Sequence, residues 1–376
     1  SCFYYIIQAL FNQMSDSISW KTKTEEELKK IESTLESLGF SLEEDQPHIS
    51  GERFLMTREK LVLMGTQKSN GSRVIIKVSN RPLGKEEIEL EKKVRDALVN
   101  VAFANDRMLL PEISFFGEKN GYLVLTQKFI PQEKVFASFP IERQFFMSLL
   151  MFEEQEAFHA TTFEHRNKIK NIFKLQTTKD YLQSFSEFKK TIENYTEDEN
   201  WKTVVEECEK LLKDNEKLLD KHSNYLTHTD FVPGNSRISG RDIYMLDLSS
   251  MYFGNKYEGW ARFINWATIH SPELDTLLNS YVLKNRGEEE HTTLRLMRIY
   301  KVGYLIDYYI KTLDRISGDL EILNKKRIEL WLNILKSIKD NSPLSYDFID
   351  NYRKERNSLR SPEEMERQKE FNIPTA

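Results

Sequence analysis

Between Tyr225 and Gly254 the chain reads YLTHTDFVPGNSRISGRDIYMLDLSSMYFG, with His228, Asp230, Asn235 and Asp247 set between short apolar runs. Pro233-Gly234 reverses the chain and brings Asn235 back toward Asp230. Ser236 to Ile238 and Ile243 to Leu246, joined by Ser239-Gly240-Arg241-Asp242, have the pattern of a β-hairpin with Asn235 and Asp247 side by side at its base. Two carboxylates and an amide at one end of buried strands are more polar groups than a fold needs there. Phosphoryl transfer does need them: one Asp orients the attacking hydroxyl, and an Asn and a second Asp hold Mg²⁺ against nucleotide phosphates. The plainer reading is a polar loop with a capping Asp and a turn Asn, but four matched positions in so short a window weigh against it.

Other elements must bring further groups to this hairpin. From Gly51 the apolar period predicts strands over Arg53–Thr57, Leu61–Thr66 and Arg73–Ser79, then around Leu110–Ile113 and Gly121–Leu125. Lys77 lies inside the third strand, where it needs a partner unless it snorkels from an edge. A helix over Lys85–Asn100 turns Glu87 and Glu91 to the same side as Val94, Ala97 and Leu98. Upstream, Thr24 to Glu27 reads as a capping box opening a helix with the stripe Leu28, Ile31, Leu35 and Leu38, stopped at Gly39. Residues 41–50 read as an acidic connector. Past Pro140 the pattern is helical almost to the end, with a hairpin of helices over 178–194 and 196–220, the second opened by a capping box from Thr196 to Glu199. Most of Tyr252, Phe253, Tyr257, Trp260 and Trp266 are expected in the core, with a platform for a sugar or cationic head group as the alternative.

H-T-D-F-V-P-G-N followed by L-D resembles the H-G-D-x-x-P-x-N … I-D signature of the aminoglycoside phosphotransferase and choline kinase branch of the protein-kinase-like fold. It is similar to the protein-kinase set as well, but Thr229 replaces the Arg between His and Asp, and no A-P-E follows Asp247. The resemblance implies an α+β bilobed fold, with a small antiparallel-sheet N-lobe and a larger, mainly helical C-lobe. It implies Asp230 as the catalytic base-like group, Asn235 and Asp247 as Mg²⁺ ligands, and His228 as a buttress of the loop. Lys77 would contact the α- and β-phosphates and pair with Glu91, or failing that with Glu87. Gln127 and Phe129 fall where the family's hinge meets the purine, and Glu258 where a helix-start carboxylate braces the catalytic loop. The family's glycine-rich loop has no counterpart, for Met56-Thr57-Arg58-Glu59-Lys60 stands there; Thr57, Arg58 or Lys60 would have to meet the phosphates instead.

Composition bounds the rest. With 376 residues, 39% hydrophobic and 30% charged, the chain can bury a large core, and its length suggests two domains or one bilobed unit. A net charge of −5 gives no general basic field for nucleic acid or anionic lipid. Cys2 and Cys208 are too few for a disulfide framework, which points to the cytoplasm. No apolar run reaches the length of a membrane span. Met14-Ser15-Asp16-Ser17 fits an initiator context, so residues 1–13 are expected to be upstream read-through or a fragment artefact, with a short hydrophobic anchor as the alternative.

The expected organisation is an N-terminal extension with an amphipathic helix over 1–50, a nucleotide-binding lobe over 51–130, a catalytic and substrate-binding lobe over 131–350, and a charged tail over 351–376. The expected activity is ATP- or GTP-dependent transfer of a γ-phosphate to a hydroxyl of a small molecule by a monomer or weak dimer. The rival expectations are a catalytically inactive kinase-like scaffold and a protein kinase.

Overall fold

Strand-like alternation fills the first third of the sequence and helical periodicity the remainder, and the architecture divides the same way. The computed structural model describes residues 24–49, 60–101, 108–132 and 134–368, together with Thr22 and Glu52 and without the side chains of 160–164. The expectations about residues 1–13, the strand over 53–57, Thr57 and Arg58 lie outside the described residues.

Helix α1 (24–37) is followed by β1 (Phe40–Leu42), β2 (Leu61–Gln67), β3 (Ser72–Ser79), α2 (Pro82–Val99), β4 (Met108–Leu109), β5 (Ile113–Lys119) and β6 (Tyr122–Lys128). Five of these strands make one antiparallel sheet in the order β1-β2-β3-β6-β5. Ile31 and Leu35 of α1 pack on Phe40, Leu63, Val74, Ile76 and Val124, so the predicted stripe is the face that covers the sheet. Gly39 ends the helix at φ +86°, a conformation open to glycine. Thr24 already lies within the helix, so the predicted capping box does not open it.

The connector expected over 41–50 in fact begins as strand β1, with Leu42 opposite Gly65. Phe40 and Leu42 bury their side chains in the core under α1, and a Cβ on Gly65 would stand 2.6 Å from the Ser41 carbonyl oxygen. The glycine in β2 is what lets β1 approach.

The larger lobe is built on α3 (Ile141–Ile169), α4 (Thr178–Tyr195), α5 (Glu199–Asp214), α6 (Glu216–Lys221), β7 (Tyr225–His228), β8 (Ser236–Ser239), β9 (Asp242–Met245) and β10 (Met251–Gly254), followed by α7 (Glu258–His270), α8 (Pro272–Arg286), α9 (Glu288–Thr312), α10 (Gly318–Asp340), α11 (Tyr346–Leu359) and α12 (Pro362–Arg367). Its apolar core runs from Met151 and Phe152 of α3 through Trp260, Phe263 and Ile264 of α7 to Leu335 of α10. The helical hairpin forms; Asp198 rather than Thr196 caps α5, and a capping box not expected from sequence, Thr177 with Asp180, opens α4.

Tyr257, Trp260 and Trp266 are buried and make no surface platform. The predicted tail is ordered through residue 368. Ser345 and Ser361 cap α11 and α12, and Ile349 and Tyr352 enter the main core. Tyr352, with Ile349 just before the segment, holds α11 to the core.

Candidate active site

Strand β7 carries the chain to His228 against β10, pairing His228 with Met251. The turn beyond it is fixed by Thr229, whose backbone N–H and hydroxyl both donate to the Ser250 carbonyl at 2.9 and 2.8 Å. A single 3-10 turn over Pro233–Asn235 then reverses the chain. Asn235 Nδ2 donates to both the carbonyl and Oδ2 of Asp230 at 2.8 Å, which leaves its side-chain oxygen without a hydrogen bond among the described residues. Leu246 N donates to Asn235 O at 2.9 Å, closing the β8–β9 hairpin so that Asn235 and Asp247 stand at one end. Here the structure has the hairpin geometry read from the spacing.

Asp247 itself is left-handed at φ 55°, a conformation that costs an ordinary residue energy and that short polar side chains tolerate best. His228 Nε2 lies 2.8 Å from the Leu246 carbonyl; because a carbonyl only accepts, Nε2 carries the proton. The ring thus holds the residue just before Asp247, and no described group satisfies its buried Nδ1.

Strand β3 and helix α2 bring the opposite wall. Lys77 is 5% exposed and its Nζ bonds both oxygens of the fully buried Glu91, at 2.7 and 2.5 Å. Lys77 Nζ also lies 3.9 Å from Asp247 Oδ1. Glu87, the second choice from sequence, instead pairs with Lys60. Lys60 Nζ stands 3.3 Å from Asp247 Oδ1, so that carboxylate faces two ammonium groups. Burial alone would push the Asp247 carboxyl up, but Lys60 and Lys77 outweigh it and hold the group well below its ordinary value. Burial would likewise lower Lys60, but Asp247, Glu87 and Glu91 raise it. Both groups are charged at neutral pH.

A cleft of about 890 Å³ lies between these walls, lined by Lys60, Lys77, Glu87, Gln127, Phe129, Asn235 and Asp247. Gln127 is buried and its side-chain oxygen accepts from Arg95 Nη2 at 3.2 Å. The backbone N–H of Phe129 is already used by the Arg73 carbonyl at 3.1 Å, and the Arg73 guanidinium sits over its ring at 4.4 Å. Phe129 therefore offers the cleft an apolar ring rather than a free amide.

Asp230 faces a second cavity, of about 690 Å³, that shares Tyr304, Tyr308 and Arg367 with the first. Arg262 Nε donates to Asp230 Oδ1 at 2.8 Å. Burial would raise the Asp230 carboxyl, but Arg262 and then His228 lower it below the usual value. Glu258 is fully buried and accepts from Tyr181 at 2.6 Å, Tyr252 at 2.5 Å and Lys301 at 3.1 Å. Among the described residues no hydrogen bond or ion pair joins it to the 228–235 loop, where the ionic partner of Asp230 is Arg262. Neither Arg262 nor the pairing of Lys60 with Asp247 was legible in sequence, since no local pattern marks a contact across 187 residues.

Among the described residues no group of three or more His, Cys, Asp or Glu side chains is arranged for a metal. Asn235 and Asp247 offer two hard oxygens, which suits Mg²⁺ completed by phosphate oxygens and not a site built from protein alone.

No family model and no curated protein matches the sequence. Solved structures do match. A thermostable mutant of aminoglycoside phosphotransferase APH(4)-Ia, in ternary complex with ADP and hygromycin B, superimposes with a TM-score of 0.54 at 14% identity, covering 80% of this chain and 96% of that one. Macrolide 2'-phosphotransferase type I gives a TM-score of 0.55 at 13% identity over 80% and 96% of the two chains. The GDP complex of wild-type aminoglycoside 2'-phosphotransferase-IIIa gives 0.54 at 13% over 75% and 90%. The chain has the bilobed, protein-kinase-like fold of the aminoglycoside and macrolide phosphotransferases.

Proposed function

We propose that the protein is a small-molecule kinase that moves the γ-phosphate of ATP or GTP to a hydroxyl group, using magnesium. The observation that carries this reading is the convergence, around one cleft, of the Lys77–Glu91 pair with Asp247 at 3.9 Å and Asn235 beside it, while Asp230 opens to an adjoining cavity. Nucleotide and acceptor would then meet at the turn between Asp230 and Asn235. The neighbours of this fold solved with ADP, AMP-PNP or GDP support nucleotide as the donor.

In this reading Lys77, fixed by Glu91, neutralises the phosphates, and Asn235 and Asp247 hold the metal. Bound magnesium would supply charge stabilisation at the transferring group. Asp230, kept anionic by Arg262, accepts a hydrogen bond from the acceptor hydroxyl and takes its proton late. Most of the rate then comes from positioning and from charges already in place. Asp247 passes through a 3-10 turn over Leu248–Ser250 directly into β10, which leaves no long loop on which to lay a peptide. That favours a small acceptor over a protein. Among the described residues no helix is long and apolar enough to cross a membrane, and we place the activity in the cytoplasm in a monomer or weak dimer.

The test is ADP release from Mg·ATP over a panel of hydroxyl compounds, wild type against Asp230→Ala; transfer by the variant at the wild-type rate overturns the assignment. A second reading, a kinase-like binding protein without transfer, draws on Lys60, whose ammonium stands 3.3 Å from Asp247 on the oxygen a magnesium ion would need. Thermal-shift titration separates the two: stabilisation by ATP that rises with Mg²⁺ supports the enzyme, and stabilisation indifferent to Mg²⁺ supports the binding protein.

A further inference from the structure

The cavity beside Asp230 is positively charged. Its lining carries six cationic side chains (Lys174, Arg262, Lys301, Arg327, Arg360 and Arg367) against the three carboxylates Glu52, Asp230 and Glu258. Each carboxylate is already taken: Asp230 by Arg262, Glu258 by Lys301, Glu52 by Arg327. Arg367 pairs with Glu364 behind the wall at 2.8 Å. Two cations, Lys174 and Arg360, have no carboxylate of their own, since Arg360 reaches only the Glu52 that Arg327 already holds. Lys174 is exposed and makes no ion pair among the described residues. Arg360 is more telling. Its side chain is only 7% exposed, its nearest carboxylate oxygen is Glu52 Oε2 at 3.9 Å, and its Nε and Nη1 are buried with no hydrogen-bond partner among the described residues.

A buried guanidinium with idle donors is costly unless something accepts from it. Water could accept but would bring no charge, and charge is what this wall lacks. Arg356, next to the cavity wall, is pushed down to about 10 by burial and by Arg360 and Arg327, the mark of a cluster of like charges. A planar fork of N–H groups suits the oxygens of a phosphate or a carboxylate. A polycationic acceptor would meet the opposite situation, with every carboxylate on the wall already engaged.

We propose that the acceptor is a hydroxyl compound bearing a phosphate or carboxylate group, held in the cavity that Arg360 and Lys174 both line, and not a polycationic aminoglycoside. The inference rests on the kinase reading for naming the ligand an acceptor, but its charge follows from the cavity alone.

Calorimetric titration of the full-length protein, saturated with Mg·AMP-PNP to occupy the nucleotide cleft, tests it. The probes are ribose 5-phosphate, a nucleoside monophosphate, a hydroxy acid, inorganic phosphate, neutral ribose and the aminoglycoside hygromycin B. At least one anion is expected to bind at least tenfold more tightly than ribose or hygromycin B. Arg360→Gln is expected to weaken that anion about tenfold or more, in line with loss of a charge-assisted bond. Lys174→Gln, a surface change that leaves the fold alone, should weaken it by a smaller factor. Failure of every anion to bind, tighter binding of ribose or hygromycin B, or affinity untouched by both substitutions overturns the proposal. If AMP-PNP itself does not bind, the kinase reading falls, while the same anion series on the nucleotide-free protein still decides the charge of the ligand.

Discussion

Arg262 Nε donates to Asp230 Oδ1 at 2.8 Å while Asn235 Nδ2 donates to Asp230 Oδ2 at the same distance, so both oxygens of one carboxylate are held from outside and inside the loop. The carboxylate side chain is still 42% exposed to the cavity. Such a group is oriented and anionic but not sealed away. Arg262→Met removes the main stabiliser of its charge and one of its two tethers. The expected outcome is a fall in kcat of about tenfold or more, from loss of one charge-assisted hydrogen bond, with the KM for nucleotide within twofold of wild type. Steady-state kinetics at varied ATP checks the split.

Asp230→Asn keeps the shape and loses the charge. Transfer is expected to drop by roughly 10²–10⁴-fold, the usual contribution of a positioned base, with nucleotide affinity nearly unchanged. Rapid-quench measurement of ADP formation, together with a nucleotide titration, reads both.

Lys77 and Glu91 make a buried pair in which removal of one partner strands the other. Lys77→Met alone should cost about 3–5 kcal/mol. Lys77→Met with Glu91→Leu should recover much of that stability, since apolar residues of similar volume replace both charges, while nucleotide affinity stays lost. Chemical denaturation and nucleotide titration on the single and double variants check it; a double variant as unstable as the single one contradicts the pairing.

Asp230 and Asp247 both hold their carboxyls below the ordinary aspartate value. The unfolded chain therefore binds more protons than the folded one as the medium turns acidic. The stability these groups contribute is complete above an ordinary aspartate pKa of about 3.9 and is lost as pH falls through their lowered folded values. Stability is expected to decline below about pH 4. In Asp247→Asn the decline should be shallower from a lower starting point, because Lys60 and Lys77 lose their shared partner. Thermal melts from acid to neutral pH give the slopes.

Gly254 closes β10 where a Cβ would run into the Tyr181 hydroxyl. That hydroxyl donates to Glu258 at 2.6 Å and accepts from Asn255 N at 2.9 Å. Gly254→Ala should thus destabilise by about 1–3 kcal/mol through overpacking. Tyr181→Phe alongside it should relieve little, because Glu258 then loses a donor. Denaturation midpoints for the two variants and their combination give the coupling.

Much of the cleft was legible because its parts are close in sequence or lie on a regular element. Asp230, Asn235 and Asp247 share one turn and one hairpin, and Lys77 and Glu91 are 14 residues apart on a strand and the helix after it. The helical face left both Glu87 and Glu91 open, and the family resemblance chose Glu91, which is buried with Val94 and Leu98. Other expectations failed where local signals competed. The capping box at Thr196 gave way to a cap at Asp198, Thr24 lies within its helix, and the first residues of the expected connector joined β1 (Phe40–Leu42), where Gly65 makes room, while the acidic residues after Leu42 stayed outside it. The charged segment from 351, read as a frayed helix or tail, is helical in α11 and α12 as far as it is described.

By itself, the sequence determined the change from strand to helical period and the turn that joins Asp230 to Asn235, since periodicity and turn chemistry act over a few neighbouring residues; the two-lobed architecture was what the family resemblance implied. Only the tertiary structure decided which charges face one another: Lys60 on Asp247, Arg262 on Asp230, and Arg360 beside the cavity with Glu52 no nearer than 3.9 Å and two N–H groups without a hydrogen bond among the described residues. Electrostatic pairing depends on distance through space, and the chain brings those groups together from segments that no sequence period connects.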